Sequence, residues 1–290
     1  MTRHVKPRDI SRGALVVLAA LATACVVAPA FSAGDPLAIG DVLALRLLPP
    51  LSTDPIGHFH VLGTDRFGRD LFLRMMLAGR ISLSVGIVGS LLAAGVGTLA
   101  GAIAAWRGGV TDRVLMAFAD TLLAVPRLVL LLVCAALWRP GLATVVTVLV
   151  ATGWMGVARM IRAEVLGVRP RLYIQSAIAL GTGSWRVLFR HVMPNALGPA
   201  IVATTLGVGN AMLLESGLSF LGLGIQPPSP SWGNLIAGGR DLIVTAPWVA
   251  IAPGAALVLT VYCVTLIADD LSDGLASDRV GLRRSLAERA

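Results

Sequence analysis

The chain has 290 residues, of which 56% are hydrophobic and only 14% are charged, and its net charge is +8. A soluble domain carries about 25% charged residues, so this composition argues against a soluble protein and favours one that crosses a bilayer. The positive residues are almost all arginine, with Lys6 the single lysine, and they cluster in short loops between apolar runs. That distribution is typical of membrane topology rather than of a phosphate-binding surface, so we expect no nucleic acid partner.

Six long apolar runs predict an all-α membrane protein with about six transmembrane helices. They cover residues 14–31, 81–106, 114–138, 142–158, 196–224 and 242–268. About 20 residues cross the hydrocarbon core at 1.5 Å per residue, so each run spans once, and we expect the fourth to continue past Arg159. The first run follows a basic stretch, as a signal peptide does. It is longer than the roughly 7–15 apolar residues of a cleaved signal, which favours a retained helix.

The distribution of positive residues predicts the orientation. With the N-terminus in the cytoplasm, 16 of the 24 Lys and Arg residues lie inside and seven lie outside. Both termini are therefore expected in the cytoplasm. The predicted segments are a cytoplasmic N-terminus (1–13), a first helix (14–31), an extracytoplasmic segment (32–80), a transmembrane domain (81–275) and a cytoplasmic tail (276–290).

Three charged residues fall within the predicted spans. A carboxylate at the bilayer centre costs about 2.5–3.5 kcal/mol, so it should face protein or water. Glu215 either lines a pathway or its gate, or makes a structural hydrogen bond to a neighbouring helix. Asp120 and Arg127 are seven residues apart, which predicts one shared helix face and pairing with a partner subunit. Pro126 predicts a kink between them, which either acts as a hinge or reflects packing alone.

The inside loop 162–195 is much longer than a turn requires and has an internal pattern. Tyr173, Ala177 and Leu180 recur at helical spacing, which predicts a short amphipathic helix that Gly181 ends. A small helix presented on one side of a membrane protein is a docking surface for a partner. The alternative from the pattern alone is an interfacial helix that lies on lipid headgroups.

Other residues of the loop are consistent with short helices that a partner can approach. Ser176 is small and lets a partner approach closely. Ser184 can cap a second short helix that runs to His191. Pro194 then stands where a new helix can begin.

The outer segment 226–232 is rich in proline and serine and ends in an aromatic residue. Proline-rich backbone is stiff and cannot join a helix. Pro227, Pro228 and Trp232 would form a rigid rim on which another protein docks from outside. A plain rigid turn is the alternative.

No metal site is predicted. His58 and His60 have no third ligand nearby, and two histidines alone make a poor site. The cysteines Cys25, Cys134 and Cys263 lie inside apolar runs without metal-ligand spacing.

The loop resembles the "EAA" loop of ABC-importer permeases, in which a short coupling helix sits in a groove of the cytoplasmic ATPase. More narrowly, it resembles the C-type subunit of dipeptide and oligopeptide permeases, whose pattern reads Arg-Glu-x-Glu-Tyr-Val-x-Ala-Ala-Arg-x-Leu-Gly and then Arg-His-x-x-Pro-Asn. The matching positions are Tyr173, Ala177, Leu180, Gly181, Arg190, His191, Pro194 and Asn195. Residues 60–70, 79–83, 215–233 and 270–275 also resemble motifs of that group, so the resemblance extends from about residue 58 to 279.

The coupling helix departs from the group's pattern. Pro170 and Leu172 stand where two acidic residues are usual, and residues 176–178 are Ser-Ala-Ile where Ala-Ala-Arg is common. Docking to the ATPase would therefore depend more on packing and less on ion pairs.

The resemblance implies a type I ABC-importer permease bundle in the bacterial cytoplasmic membrane. Such a subunit is not an enzyme and binds no cofactor, because ATP and Mg are bound by partner ATPases. The implied partners are a homologous second permease, two cytoplasmic ATPase subunits or domains, an extracytoplasmic substrate-binding protein and the lipid bilayer. The implied ATPase-coupling residues are Tyr173, Ser176, Ala177, Leu180, Gly181, Arg190 and His191.

The substrate expected from the resemblance is a di- or oligopeptide, with nickel chelates, glutathione or haem as alternatives. The sequence contains no P-loop motif, so energy would come from a partner or from an ion gradient. An ion-coupled secondary transporter or a channel is the second hypothesis, and it would require an inverted repeat or a relay of titratable residues in the membrane. A membrane scaffold that transports nothing is the third.

Overall fold

The computed structural model describes residues 7–30 and 42–287, with side chains for residues 10–30 and 42–275. The predicted segments at residues 1–6, 31–41 and 288–290 lie outside this part. The helices are α1 (Pro7–Val27), α2 (Val42–Leu45), α3 (Leu71–Arg107), α4 (Gly109–Leu123), α5 (Arg127–Leu137), α6 (Leu142–Val168), α7 (Leu172–Ala179), α8 (Ser184–Val187), α9 (Met193–Phe220), α10 (Trp232–Gly239) and α11 (Trp248–Ala287). A small hairpin pairs β1 (Ser52–Thr53) with β2 (Phe59–His60).

The predicted all-α membrane architecture is confirmed. In the described residues, five helical stretches are long and apolar enough to cross a membrane, and α4 with α5 makes a sixth candidate if the bent pair counts as one span. The helix α3 runs the full height of the bundle, roughly 55 Å at 1.5 Å per residue. Its first turn lies beside the β-hairpin, and its last turn lies beside α7. We call these two regions the hairpin end and the α7 end.

Several predicted helix boundaries are wrong, because the helices continue beyond the uncharged runs. The second span was expected from residue 81, whereas α3 begins at Leu71, where Asp70 accepts a hydrogen bond from the Leu73 amide at 2.9 Å. Charged residues in its first turns kept this part of α3 out of the uncharged run. They are tolerated because they have partners, as Arg74 does in Asp65. The last span was expected at residues 242–268, whereas α11 runs from Trp248 to Ala287 and includes most of the predicted tail. The fourth span continues past Arg159 as expected.

The third span is broken rather than kinked. Helices α4 and α5 meet at 91°, and Pro126 lies directly before α5. Proline lacks an amide hydrogen and disfavours helical backbone in the preceding residue, which explains the break. The predicted shared face of Asp120 and Arg127 is therefore wrong, because they lie on different helices. Asp120 instead lies 3.5 Å from Arg159 of this same chain, in an exposed ion pair.

Closely packed glycines join α3 to α6, the most extensive helix pair in the bundle. A Cβ atom on Gly101 would overlap the carbonyl group of Ala158, and one on Gly97 would overlap the carbonyl oxygen of Trp154. Small residues at such positions let two helix backbones approach closely, which is how transmembrane helices associate without a hydrophobic driving force.

This packing predicts the effect of a single methyl group. Gly101→Ala should lower the free energy of unfolding by about 1–3 kcal/mol, because the added Cβ forces α3 away from α6. Gly95→Ala on the same helix has open space around the new Cβ, so it should be neutral or stabilise by up to ~1 kcal/mol. Unfolding of both variants in the same detergent measures the difference, and equal effects would contradict the packing.

Candidate functional site

The helix α7 is fixed to the bundle by one fully buried side chain. Ile174 is 0% exposed and packs in a cluster with residues from the ends of α3, α6 and α9. The other members of this cluster include Trp106, Val165, Val168, Val187, Leu188 and Val192. The spacing argument missed Ile174, since the predicted stripe was Tyr173, Ala177 and Leu180. Of those three, only Ala177 packs partly against the cluster.

Trp106, at the end of α3, secures the loop that follows α7. Its Nε1 donates a 2.7 Å hydrogen bond to Ser184 Oγ, and the Arg169 guanidinium lies 5.6 Å from its ring centre. The predicted capping role of Ser184 is therefore wrong, because its hydroxyl accepts from Trp106 and caps no helix end. The second helix also does not end at His191, because a π-helical turn (Leu188–Val192) joins it without a break to α9.

Four apolar side chains are exposed on and directly after α7, beside the exposed polar residues Gln175 and Ser176. Leu172 is 80% exposed and Leu180 is 86% exposed, with Tyr173 and Ile178 partly exposed between them. Leucine side chains this accessible at the end of a bundle mark an interaction surface. We call Leu172, Tyr173, Ile178 and Leu180 the α7 patch.

Gly181 ends α7 in a left-handed conformation with φ of +79°. Its amide donates to the carbonyl of Ile178 at 2.9 Å, and the Thr182 amide donates to Ala177 at 3.1 Å. Glycine is favoured at this position because a side chain there is strained. Gly181 therefore lets the chain leave α7 sharply.

The predicted coupling residues divide into two groups. Tyr173, Ser176, Ala177, Leu180 and Gly181 lie together on α7 and its end. Arg190 and His191 lie on the π-helical turn, where Arg190 is exposed and the His191 carbonyl accepts from Asn195 at 2.8 Å. The role of both groups in coupling stays a prediction. As expected, Pro194 lies in the first turn of α9.

Glu215 is the centre of a buried polar network near the hairpin end. It is 0% exposed, and its two oxygens accept hydrogen bonds from Ser219 Oγ at 2.6 Å and from Ser82 Oγ of α3 at 3.3 Å. Each serine oxygen in turn accepts a backbone amide, Ser219 from Ile225 and Ser82 from Trp232, both at 3.1 Å. One carboxylate thus joins α3, α9 and the segment that leads into α10. This arrangement favours the structural alternative for Glu215.

The predicted docking role of Trp232 is wrong. Trp232 is 0% exposed, and its Nε1 donates a 3.0 Å hydrogen bond to the carbonyl of Met75. A Cβ atom on Gly79 would overlap the indole, so the glycine makes room for the ring. Pro227 and Pro228, in contrast, are exposed at the hairpin end.

Sequence reasoning did not find α10, although its start carries a recognisable signal. Ser231 Oγ accepts from the Asn234 amide at 3.2 Å, and Asn234 Oδ1 accepts from the Ser231 amide at 3.0 Å. This reciprocal capping box marks a helix start.

The segment from His60 to Asp70 forms a compact polar turn. His60 Nδ1 lies 2.7 Å from an Asp70 carboxylate oxygen, and Thr64 Oγ1 accepts from the Leu48 amide at 2.8 Å. Gly63 takes a φ of +73°, and a Cβ there would overlap the backbone of residues 48–50. Both residues of the predicted histidine pair contact carboxylates, since His58 lies 3.3 Å from Asp54. Over the described residues, no group of three or more potential ligands is arranged to hold a metal.

A comparison with known protein families decides the classification. Residues 97–276 match the family described as the binding-protein-dependent transport system inner membrane component. The chain belongs to this family. It is therefore a multi-pass membrane protein of the transport class that its motifs resemble.

Individual relatives agree with this membership. The chain is 33% identical to the oligopeptide transport system permease protein OppC of Bacillus subtilis, over 90% of this chain and 83% of that protein. It is 37% identical to OppC of Haemophilus influenzae, over 75% and 70% of the two chains. It is 42% identical to a putative peptide permease protein of Brucella suis, over 74% and 72%.

The fold is also found in a solved structure. A chain from inward facing conformations of the MetNI methionine ABC transporter aligns with a TM-score of 0.58. The alignment covers 69% of this chain and 95% of that chain at 16% sequence identity. The helices are therefore arranged as in an ABC importer permease.

The buried network predicts a large cost for removing its carboxylate. Glu215→Ala leaves the hydroxyls of Ser82 and Ser219 without their acceptor in a buried site, so the free energy of unfolding should fall by about 1–3 kcal/mol. Glu215→Gln keeps one acceptor oxygen and should lose less. Asp120→Asn removes an acidic side chain from an exposed ion pair, so it should cost less than about 1 kcal/mol.

Unfolding of these variants in one detergent gives the comparison. The network has no stabilising role if Glu215→Ala unfolds at the same midpoint as Asp120→Asn.

Proposed function

We propose that this chain is one permease subunit of an ATP-driven importer of di- or oligopeptides and forms half of the translocation pathway. The observation that carries this proposal is the α7 patch, an apolar surface on a helix fixed to three long helices, in a chain of the binding-protein-dependent transport family. The names of the relatives support peptides as the substrate class.

The α7 patch is the proposed contact for a cytoplasmic ATPase. Within the described residues, the patch carries no ion pair, and the usual acidic positions hold Pro170 and Leu172. The ATPase would therefore recognise it mainly by apolar packing around Leu172 and Leu180. The cost of exposing these side chains in the free subunit is recovered when a partner covers them.

The contacts that hold α7 against the bundle explain how a movement of α7 would reach the translocation pathway. Ile174 and Trp106 connect α7 to α3, α6 and α9, and the Arg162 guanidinium binds Asp112 of α4 through two hydrogen bonds of 2.5 and 2.6 Å. A displacement of α7 by the ATPase would thus be passed to four helices as rigid bodies. Alternating access by rigid-body movement follows from such a connection.

The α7 end is assigned to the cytoplasm because it carries most of the positive loop residues, including Arg169, Arg171, Arg186 and Arg190. The hairpin end then faces outside, where the exposed Pro227 and Pro228 are available to an extracytoplasmic binding protein. A homologous second permease would complete the pathway. Asp120 has a partner in this chain, so of the predicted pair only Arg127 is proposed to meet that second subunit.

The alternatives have weaker support. The family match does not favour an ion-coupled secondary transporter. A proton or ion relay would need free acidic side chains within the spans. Glu215 instead accepts hydrogen bonds from serine hydroxyls, and Asp120 pairs with Arg159. Nickel chelates, glutathione and haem are not favoured over peptides by the names of the relatives.

Replacing the most exposed leucine of the α7 patch tests the coupling. Leu180→Asp should reduce the ATPase that co-purifies with the chain at least tenfold, because an unpaired carboxylate would be buried in the interface. The side chain is 86% exposed, so folding should be unchanged. The second permease should still co-purify.

Ile56→Asp is the matched control, since Ile56 is an equally aliphatic, 74% exposed residue at the hairpin end. It should retain the full amount of ATPase. Equal ATPase recovery from both variants would count against the α7 patch as the contact, and ATP-independent transport by the wild-type chain purified alone would reject the whole proposal.

A further inference from the structure

A cavity of about 480 Å³ opens at the hairpin end, between the turn that holds Asp65 and the start of α10. Charged and polar residues line one side of it, and the exposed prolines form part of its rim. The residues that matter are Asp65, Arg66, Arg69, Arg74, Pro227 and Pro228.

The charges that line this cavity do not balance. Three of them are arginines and one is an aspartate, and the side chains of Arg69, Arg74 and Asp65 are only 13%, 9% and 5% exposed. A buried cation is costly unless it is paired and hydrogen-bonded. Two guanidinium groups here share one carboxylate.

The shared carboxylate has no capacity left. Asp65 Oδ1 accepts from the backbone amides of Phe67 at 2.8 Å and Arg69 at 3.1 Å. Its Oδ2 accepts from Arg69 Nε at 2.9 Å and also from Arg74 Nη1. The second guanidinium is therefore only partly satisfied.

Of the four described side chains with a buried polar atom that has no hydrogen-bond partner, Arg74 alone lines this cavity. Within the described part of the chain, no acceptor reaches its Nε–H, although the residue is 8% exposed. Nearly all buried polar groups find a partner, so a buried cationic donor without one, in a residue that lines a cavity, points to a missing acceptor.

We propose that this cavity is a binding site for a carboxylate group, held by Arg74 and Arg69. A planar guanidinium matches the two oxygens of a carboxylate and binds them as a pair. Asp65 already places one negative charge against both arginines, so a monoanion fits the remaining positive charge better than a doubly charged phosphate does. The carboxylate belongs either to a small molecule or to a polypeptide that docks over Pro227 and Pro228. The site is inferred independently of the transport function.

The neighbouring ring keeps the arginines in place. The guanidinium carbons of Arg69 and Arg66 lie 4.5 Å and 4.9 Å from the centre of the Phe67 ring. Stacking of this kind orders an arginine before its ligand arrives, which reduces the entropy lost on binding. Arg240, at the same end of the bundle, is exposed and does not line the cavity, so it provides a control position.

Thermal unfolding of the full chain in lipid nanodiscs, followed by tryptophan fluorescence, tests the site with acetate as the probe. A ligand of the folded state stabilises it with the logarithm of its concentration above Kd, so Tm should rise by roughly 2–4 °C for each tenfold increase in acetate. Sodium chloride at equal ionic strength should not reproduce this. An acetate effect equal to that of chloride overturns the proposal.

Variants separate specific binding from general salt effects. Arg74→Gln and Arg69→Gln should each abolish the acetate-specific rise, whereas Arg240→Gln should keep it. If Arg74→Gln does not fold, the logarithmic shape of the wild-type curve and the Arg69→Gln variant still decide. Loss of the rise in Arg240→Gln alone would also overturn the proposal.

The same measurement distinguishes the two sources of the carboxylate. The complex purified with its second permease and binding protein is titrated with acetate in parallel. If acetate no longer raises its Tm, a polypeptide carboxylate already fills the cavity. If the rise persists, the site remains open to a small carboxylate. Both outcomes support the site, provided that the isolated chain shows the acetate-specific effect.

Discussion

A bilayer provides no water to hydrogen-bond buried polar groups, so each must find its partner inside the protein. The network around Glu215 satisfies this constraint and shapes one end of the molecule. Its carboxylate accepts two serine hydroxyls, and those serines accept the amides of Ile225 and Trp232. The segment into α10 is thereby fixed to α3 and α9. Arg80 follows the same logic, since it donates to the carbonyls of Cys25 and Val26 at the end of α1.

The two ends of the bundle meet this constraint in opposite ways. At the hairpin end, most buried polar groups are paired, although Arg74 is one of four described side chains with a buried polar atom that has no hydrogen-bond partner. At the α7 end, apolar side chains are exposed on a helix that Ile174 holds in place. The hydrogen bonds among buried polar groups make the hairpin end resistant to rearrangement. The exposed apolar surface of α7 is held rigidly against the bundle, which suits a partner that binds it and displaces it. This asymmetry is the physical basis for assigning ATPase coupling to α7.

Most of the architecture could be predicted from the sequence, because a transmembrane helix is a local property of one apolar run. The limits were set by contacts outside the apolar runs. The first turns of α3 contain Arg74, whose partner Asp65 lies before the helix, and apolar runs cannot show such a pairing. The break before α5 could be anticipated at Pro126, but its 91° angle could not.

Sequence patterns grouped the predicted site residues better than they assigned a role to each. They predicted Tyr173 to Gly181 as one surface, and those residues do lie together, yet the side chain that fixes α7 is Ile174. The proline-rich pattern of residues 226–232 placed Trp232 on an exposed rim, whereas that ring fills space left by Gly79. Both errors arise from packing between segments that are far apart in the chain. The sequence pointed to Glu215 because a carboxylate within the bilayer is energetically costly. Its structural role became clear only from its serine partners in the folded chain.

The most direct test of the account is uptake of a labelled oligopeptide into proteoliposomes that contain the complete complex. The account predicts uptake that requires ATP inside the compartment facing α7 and persists when ionophores collapse all ion gradients. Uptake that continues without ATP and stops with the ionophores would contradict it.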